Sequence, residues 1–544
     1  MVPIPHHFPP TMERPSLHPS PFRRGALRGI LATLLTVGGI ALVHLPRTSD
    51  AQSAPTARPG TSRGGDVLAL DYRKSVESAL AQNFEIRIER ISPKIAAAQL
   101  KTAKGDFDPE LQLSYTYSRS QQQQNTLNNN LDDGSSAVSQ PDLFVENTGN
   151  EFDSGIVGLA PWGMTYDLGG SVVNSGDSRK EFDTYEPFVG LQLTQPLLRG
   201  FGTDVNLSAI RIARTNEAIS DWELRKRVID VITRTITAYN EYYYSIRNLE
   251  VERQSRDLAR QTLEDNSRRA EIGVMYPLDI TQARADVATR DERVLVAERQ
   301  MLDNENALKQ LVSDRTRSIL NLRLQIAPPP SMKGFRFDKT ADIGRSFSLR
   351  PDYRQTLLDL QNQKINIVVR RNETLPRLDL EASFGVNGHD RNLSGSVSNL
   401  SAANNTSATA GIIFRYPIGN RAAKGRLDEA KLTVAQQLLS LKNLEQQILI
   451  EIDNAAGQID TTRKRIETTT AARVLAEETL KSGQARLASG TTTTFEVLQF
   501  QSDAAAARIA ELRAAADHNI AIATYAQLTG TTLERAGVSI RAGM

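Results

Sequence analysis

Residues 262–286 read TLEDNSRRAEIGVMYPLDITQARAD, and residues 479–503 read TLKSGQARLASGTTTTFEVLQFQSD. A shift of about 217 residues lays one on the other. Thr262 then falls on Thr479, Leu263 on Leu480, Arg269 on Arg486, Gly273 on Gly490, Gln282 on Gln499 and Asp286 on Asp503. In both stretches a long helical pattern runs into Gly, a few turn residues follow, and a second helical pattern leaves. Gly just past a helix end supplies the left-handed conformation that stops the helix. Pro277 suits the first turn of the departing helix, where its missing N–H is not needed. Each stretch is the bend of a helical hairpin. One such bend is an ordinary coiled-coil turn; two in one chain make a duplication.

The arms extend outward from the bends. From about residue 206 to Gly273 the pattern is helical, with Ile232, Ile236, Tyr239, Tyr243 and Ile246 forming an apolar stripe. That is a rod of roughly 100 Å, and 277–313 returns as a helix of roughly 55 Å. Residues 324–345, with Pro328-Pro329-Pro330, break the pattern as a connection between halves. A second rod runs from about 422 to Gly490, with Leu441, Leu444, Ile448, Ile452, Ala455 and Ile459 on one face. Residues 494–529 return as a helix and 530–544 are a tail. Shorter helical patterns cover 69–105 and 346–374, and Arg350-Pro351-Asp352 stands where Asn83-Phe84-Glu85 stood. Each pair of short helices matches one rod in length and can flank it end to end.

Between the helices the period changes to two. Leu111, Leu113, Tyr115 and Tyr117 alternate with Gln112, Ser114, Thr116 and Ser118, the pattern of a strand with one apolar face. Val189, Leu191 and Leu193 alternate in the same way and stop at Pro196, which removes a backbone donor. The second half repeats both strands, over about 377–386 and 407–416. Pro376 matches Pro109 and Pro417 matches Pro196, so all four prolines mark strand–helix junctions. Residues 152–175 carry a weaker alternation and are either wall strands or a surface flap; the pattern leaves both open. The polar run SRSQQQQNTLNNNLDDGSSAVSQPD that precedes them is a solvated loop. The division is a first repeat over 69–323, with strands about 110–118 and 187–195, and a second over 346–529.

The composition removes whole classes of function. A net charge of +2 over 544 residues gives no reason to expect nucleic acid. There is no Cys, so no disulfide, thiolate metal site or Cys nucleophile, and six His are too scattered for a metal cluster. No phosphate loop, HExxH or nucleophile elbow occurs. The sequence predicts no enzyme, no cofactor and no metal. Arg23, Arg24 and Arg28 precede the apolar run GILATLLTVGGIALVHL at 29–45, and Ser49-Asp50-Ala51 is a small-residue cleavage site. This is the pattern of a signal peptide over 1–51, followed by a Pro-rich linker over 52–68. A retained membrane anchor is the rival reading. No later stretch is long and apolar enough for a spanning helix, so entry into a membrane must be by strands. Four strong strands are too few to close a barrel, which needs about eight; closure requires several copies.

The paired repeats, TQPLLRGFG at Thr194–Gly202, RPDYRQ at Arg350–Gln355, LPRLDL at Leu375–Leu380 and the two Gly tips resemble the TolC-like outer-membrane efflux protein family over roughly residues 66–530. The resemblance implies a mixed α/β membrane protein: a homotrimer with a 12-stranded β-barrel in outer-membrane lipid above a periplasmic α-helical barrel. Its function would be an open duct for small molecules or secreted protein. A periplasmic adaptor would join it to an inner-membrane transporter of the resistance-nodulation-division, ABC or major-facilitator type. The alternatives are a periplasmic adaptor, which would have one hairpin and a lipoyl-like domain, and a coiled-coil scaffold.

The resemblance also places a gate at the tips. In relatives two acidic residues beyond the second Gly ring the pore; Glu496 falls on the first position and Gln499 on the second. Asp279 and Gln282 are their counterparts in the first repeat, and Asp286 and Asp503 lie seven residues beyond Asp279 and Glu496 on the same helix face. Three Glu496 carboxylates at one axis would raise each other's pKa and attract cations. A latch Arg of relatives is here Thr492, so closure is expected to rest more on packing. Gly273, Val274, Gly490 and Thr491 are the expected contacts with the adaptor.

Overall fold

The structure, a computed structural model, describes residues 67–124, 143–178, 182–273, 276–332, 334–403 and 405–538. The expected signal peptide, the linker as far as residue 66, Val274 and the tail beyond 538 lie outside these residues.

Strand β1 (Val67–Leu70) leads into helices α1 (Tyr72–Gln82), α2 (Phe84–Glu89) and α3 (Ser92–Gly105). Strands β2 (Glu110–Gln124), β3 (Leu143–Leu159), β4 (Thr165–Asp177) and β5 (Thr184–Pro196) follow. A single turn, α4 (Thr203–Asn206), opens onto the rod α5 (Ser208–Glu271), and α6 (Pro277–Val312) returns from the first bend. The second half runs through β6 (Arg323–Ile326), α7 (Lys339–Leu349), α8 (Pro351–Glu373), β7 (Arg377–Asn387), α9 (Leu393–Ser401) and β8 (Thr406–Arg415). It closes with the second rod α10 (Arg421–Ala488), then α11 (Thr494–Leu528) and α12 (Thr532–Ala536).

The short helical stretches are more broken than their composition suggests. Asn83 and Arg350 are both extended, with ψ of 127° and 122°, each between two helices. Asn83 makes its break by accepting from the Glu85 N–H at 2.9 Å while donating to the Leu311 carbonyl oxygen at 3.2 Å. At Arg350 the cause is Pro351, which cannot continue a helix from the preceding turn. Two other boundaries differ from the sequence reading. The connection expected over 324–345 pairs β6 in parallel with β1 and already begins α7 at Lys339. The expected tail begins with α12, whose Leu533 is buried in the core cluster around α5.

The rods pack as coiled coils. Val228, Ile232, Tyr239, Tyr242 and Leu249 of α5 are buried, a spacing near 3.5 that keeps one seam on its partner. Tyr242 rather than Tyr243 fills that seam. Its hydroxyl donates to the Leu324 carbonyl oxygen at 3.2 Å, and that of Tyr239 donates to Ala327 at 2.6 Å, so β6 is pinned to α5. In α10 the buried series is Leu441, Ile448, Ile452, Ala455, Ile459 and Ile466. Among the described residues no helix is long and apolar enough to cross a membrane.

Among the described residues the large sheet has six antiparallel strands in the order β2-β3-β4-β5-β7-β8. The count of four per chain is thereby corrected. Residues 152–175 belong to β3 and β4, which lie between β2 and β5 and supply both with their pairing partners. Their alternation is faint because Gly occupies many positions on either face. Register nonetheless keeps the faces distinct. Leu111, Ile156, Leu168, Leu191, Phe384 and Ala408 form one row across all six strands. The next row, on the opposite face, is Gln112, Gly155, Gly169, Gly190, Gly385 and Ser407. The apolar face is exposed at Leu111, Leu113, Ile156, Leu168, Val189, Phe384 and Ile412. The other face carries Ser114, Asp153, Asp167, Gln192 and Ser383, with Ser114 donating to Asp153 at 2.9 Å.

Candidate gate at the helical tips

Both bends close through a left-handed Gly, with φ of +77° at Gly273 and +71° at Gly490. Each Gly N–H returns to a carbonyl oxygen three residues back, Ala270 at 2.9 Å and Leu487 at 3.1 Å. The Thr491 N–H adds a bond to Arg486 at 2.9 Å. A Cβ at either Gly would meet nothing within 4 Å, so the tips are open surface. Exposed Ile272, Tyr276, Leu278 and Phe495 crown them.

The candidate gate residues sit in the first turns of the departing helices, and their surroundings differ. Glu496 is exposed; its N–H donates to Thr493 Oγ1 at 3.3 Å, and its carboxylate accepts from the Thr492 hydroxyl. Thr492, the position at which the resemblance leads us to expect an Arg, is thus tied to the candidate gate acid of its own chain. Gln499 donates to Asp503 at 2.9 Å, and both are exposed. In the first repeat Asp279 accepts from the Tyr276 N–H at 3.3 Å, capping α6. Gln282 is half-buried one turn on.

Asp286 has a different setting. Its carboxylate receives Arg290 Nε at 2.7 Å. Arg290 is 1% exposed and is among the largest fully buried side chains described. Nη1 donates to the Ser255 hydroxyl and, at 3.4 Å, to the Ser255 carbonyl oxygen of α5. Nη2 donates to the Leu498 carbonyl oxygen of α11 at 3.2 Å. One guanidinium therefore joins three helices a few turns from the tips. Close by, buried Gln501 donates to Thr262 at 3.2 Å, a second bond between the hairpins. Sequence reasoning passed over Arg290. Its signal is an Arg on the stripe Ala283, Arg290, Val294, Ala297, all buried, with an Asp four residues earlier to neutralise it.

Away from the tips the second hairpin is stapled by half-buried ion pairs, Arg473 to Glu511 at 2.6 Å and Arg508 to Glu477 at 2.6 Å. The hydrogen bond from Arg508 holds the Glu477 carboxyl below the usual carboxylate range. Among the described residues no group of His, Asp and Glu is arranged to hold a metal.

At the other end of the rods the four prolines sit beside strand ends: Pro109 before β2, Pro196 closing β5, Pro376 before β7 and Pro417 after β8. Main-chain bonds knit these junctions, Leu197 N–H to Leu378 at 2.7 Å and Arg199 N–H to Pro376 at 3.2 Å. The chain thus passes four times between helix and sheet. The sequence model of the outer membrane efflux protein family matches residues 167–313 and 343–531, more than half of the chain.

The chain belongs to the outer membrane efflux protein family. Relatives in the family include the outer membrane efflux protein BepC of Brucella suis biovar 1 (strain 1330), 21% identical over 359 residues, 65% of this chain and 74% of that protein. The fold is that of the Campylobacter jejuni CmeC outer membrane channel, with a TM-score of 0.63, 18% identity and coverage of 85% of this chain and 86% of that one. The outer membrane protein VceC of Vibrio cholerae gives a TM-score of 0.61 at 16% identity, over 84% and 96% of the two chains. Membership places the protein in the outer membrane with its helices in the periplasm, and the family is one of efflux channels rather than enzymes.

Proposed function

We propose that three copies of the chain assemble into the exit duct of an efflux pump, joined by a periplasmic adaptor to an inner-membrane transporter. One observation carries this reading: a single sheet, apolar and exposed on one face and polar on the other, is continuous with two rods of about 100 Å. Lipid is the occupant that suits the apolar face. A six-stranded sheet with two free edges cannot close on itself, and β2 and β8 run in opposite directions. The edge of β8 in one chain therefore meets β2 of the next as an antiparallel pair, which threefold repetition closes.

In this assembly the tips form the narrow end. Glu496, Asp503 and Asp279 present carboxylates there without a basic partner among the described contacts, so the constriction selects for cations when closed. The exposed apolar tip residues Ile272, Tyr276 and Phe495 form the adaptor contact together with Gly273, Gly490 and Thr491. The cargo is small molecules or an extended polypeptide.

Planar-bilayer recording tests the gate. Wild-type protein is expected to conduct weakly with cation preference, and Glu496→Ala with Asp279→Ala to lower that preference. A conductance and selectivity unchanged by the double substitution would remove the acids from the gate.

A further inference from the structure

We infer that the outer-membrane wall of the assembled channel has eighteen strands, six from each of three chains, with β3 and β4 as full members of it. The inference rests on the trimeric reading above and departs from the twelve strands that four per chain would give.

Four independent features build the extra hairpin into the wall. It is internal to the sheet: among the described strands β2 pairs only with β3 and β5 reaches β2 only through β4, so lifting the hairpin out as a flap would strip two ladders. Its strands have 17 and 13 residues, more than the 9–11 that span a bilayer. Its faces obey the same code as the rest. Ile156 and Leu168 continue the apolar row, and Asp153 and Asp167 point to the polar side with Ser114 and Gln192. Finally, Gly155 and Gly169 supply half of a four-glycine row on the polar face that continues through Gly190 and Gly385. Small residues there let a sheet curl toward that face. A surface flap would need no such continuation.

The same geometry explains how six strands stand on four helical connections. The β3–β4 turn has no helix beneath it. Instead, the Gly202 N–H donates to the Trp162 carbonyl oxygen at 3.1 Å, and Asn206 donates to the carbonyl oxygens of Gly200 and Gly202 at 2.8 Å each. A Cβ on Gly163 would lie 2.3 Å from the Gly200 oxygen. The turn is seated on the β5–α5 junction.

Barrel diameter grows roughly linearly with strand number, so the bore at the outer membrane is about 1.5 times that of a twelve-stranded wall, in the range where barrels hold an aqueous channel. Cargo size is then limited at the tips, not at the exit.

The absence of Cys makes the test direct. Single variants Ile156→Cys, Leu168→Cys, Asp153→Cys and Asp167→Cys are purified and placed in lipid nanodiscs, with Leu113→Cys and Ser114→Cys on β2 as references. Each is treated with a charged, membrane-impermeant maleimide, and the mass of the native assembly is measured on the same samples. The expected result is a trimer in which positions 153, 167 and 114 react, while 156, 168 and 113 react at least tenfold more slowly until denatured. A trimer in which both 156 and 168 react as fast as 153 and 167 would overturn the inference and leave the trimeric reading intact. A mass other than three chains would overturn the trimeric reading and the inference with it.

Discussion

Arg290 Nη2 donates to the main-chain oxygen of Leu498 at 3.2 Å, so a buried cation on the first helical hairpin is held by the backbone of the second. The same guanidinium also donates to Ser255 of α5, so it ties both arms of the first hairpin to the second. Its counter-ion is Asp286, at 2.7 Å.

That pairing yields a prediction that separates two roles for Asp286. As half of a buried ion pair, it keeps Arg290 from being stranded without charge compensation. Asp286→Asn should destabilise the folded protein by on the order of 2–4 kcal/mol, somewhat below a fully buried pair because the carboxylate is partly open to water. Arg290→Met should cost less than Asp286→Asn, since it removes the buried charge itself. Both should raise the closed-state conductance. Thermal unfolding of the two variants checks this; an Asp286→Asn protein as stable as the wild type would leave Asp286 a free pore acid.

The tips make a contrasting prediction. Gly490 has φ of +71° and open space around it. Glu in its place costs about 1–2 kcal/mol of backbone strain and puts a charge on the proposed adaptor surface. Gly490→Glu should form trimers of normal mass yet lose export in a drug-susceptibility assay. Normal export would mean that the bend does not contact the adaptor.

In the six-stranded sheet, the Phe188 ring lies over two members of the glycine row. A Cβ on Gly385 would fall 2.3 Å from that ring and 2.7 Å from the Val189 carbonyl oxygen. The backbone contact cannot be relieved by a rotamer change. Gly385→Val is expected to abolish heat-resistant trimers on electrophoresis, whereas Gln112→Val, in the same row on β2, should leave them intact.

How much of this could be read from the chain alone depends on how cleanly each face was written. Leu111 to Tyr117 alternate without interruption, and they share one face of β2. Gly273 and Gly490 announced the bends because only a left-handed residue closes them. In β3 the code is diluted: Ser154 and Asn150 stand on the apolar side and Gly155 and Gly149 on the other, so period two is visible only once neighbouring strands fix the register. Arg290 was hidden for the opposite reason. Its stripe is clear, but a charged residue in it reads as surface until Ser255, Asp286 and Leu498 are brought around it by the tertiary fold.

His518 gives the periplasmic helices a pH dependence. Its ring is buried between α10 and the connection before α7, with Nδ1 2.9 Å from Thr462 Oγ1 and Nε2 3.4 Å from the Met332 carbonyl oxygen. Burial, helped by nearby Arg463, lowers its pKa below the ordinary imidazole value. The unfolded chain takes up the proton first, so the stability due to this group is complete above about pH 6.5 and is lost as pH falls from there toward the folded pKa. His518→Gln should flatten that part of the dependence, so that its melting temperature falls less between pH 7.5 and pH 5 than the wild type's. Parallel curves would contradict it.

We propose that a sheet with two open edges becomes a wall only when three chains meet. Electron cryomicroscopy of the wild-type protein in lipid nanodiscs tests it most directly. The account predicts a threefold particle with one continuous bore, running from a ring of strands within the lipid to the helical tips beyond it. Monomers whose six-stranded sheet lies open, with no strand enclosed by lipid, would contradict it.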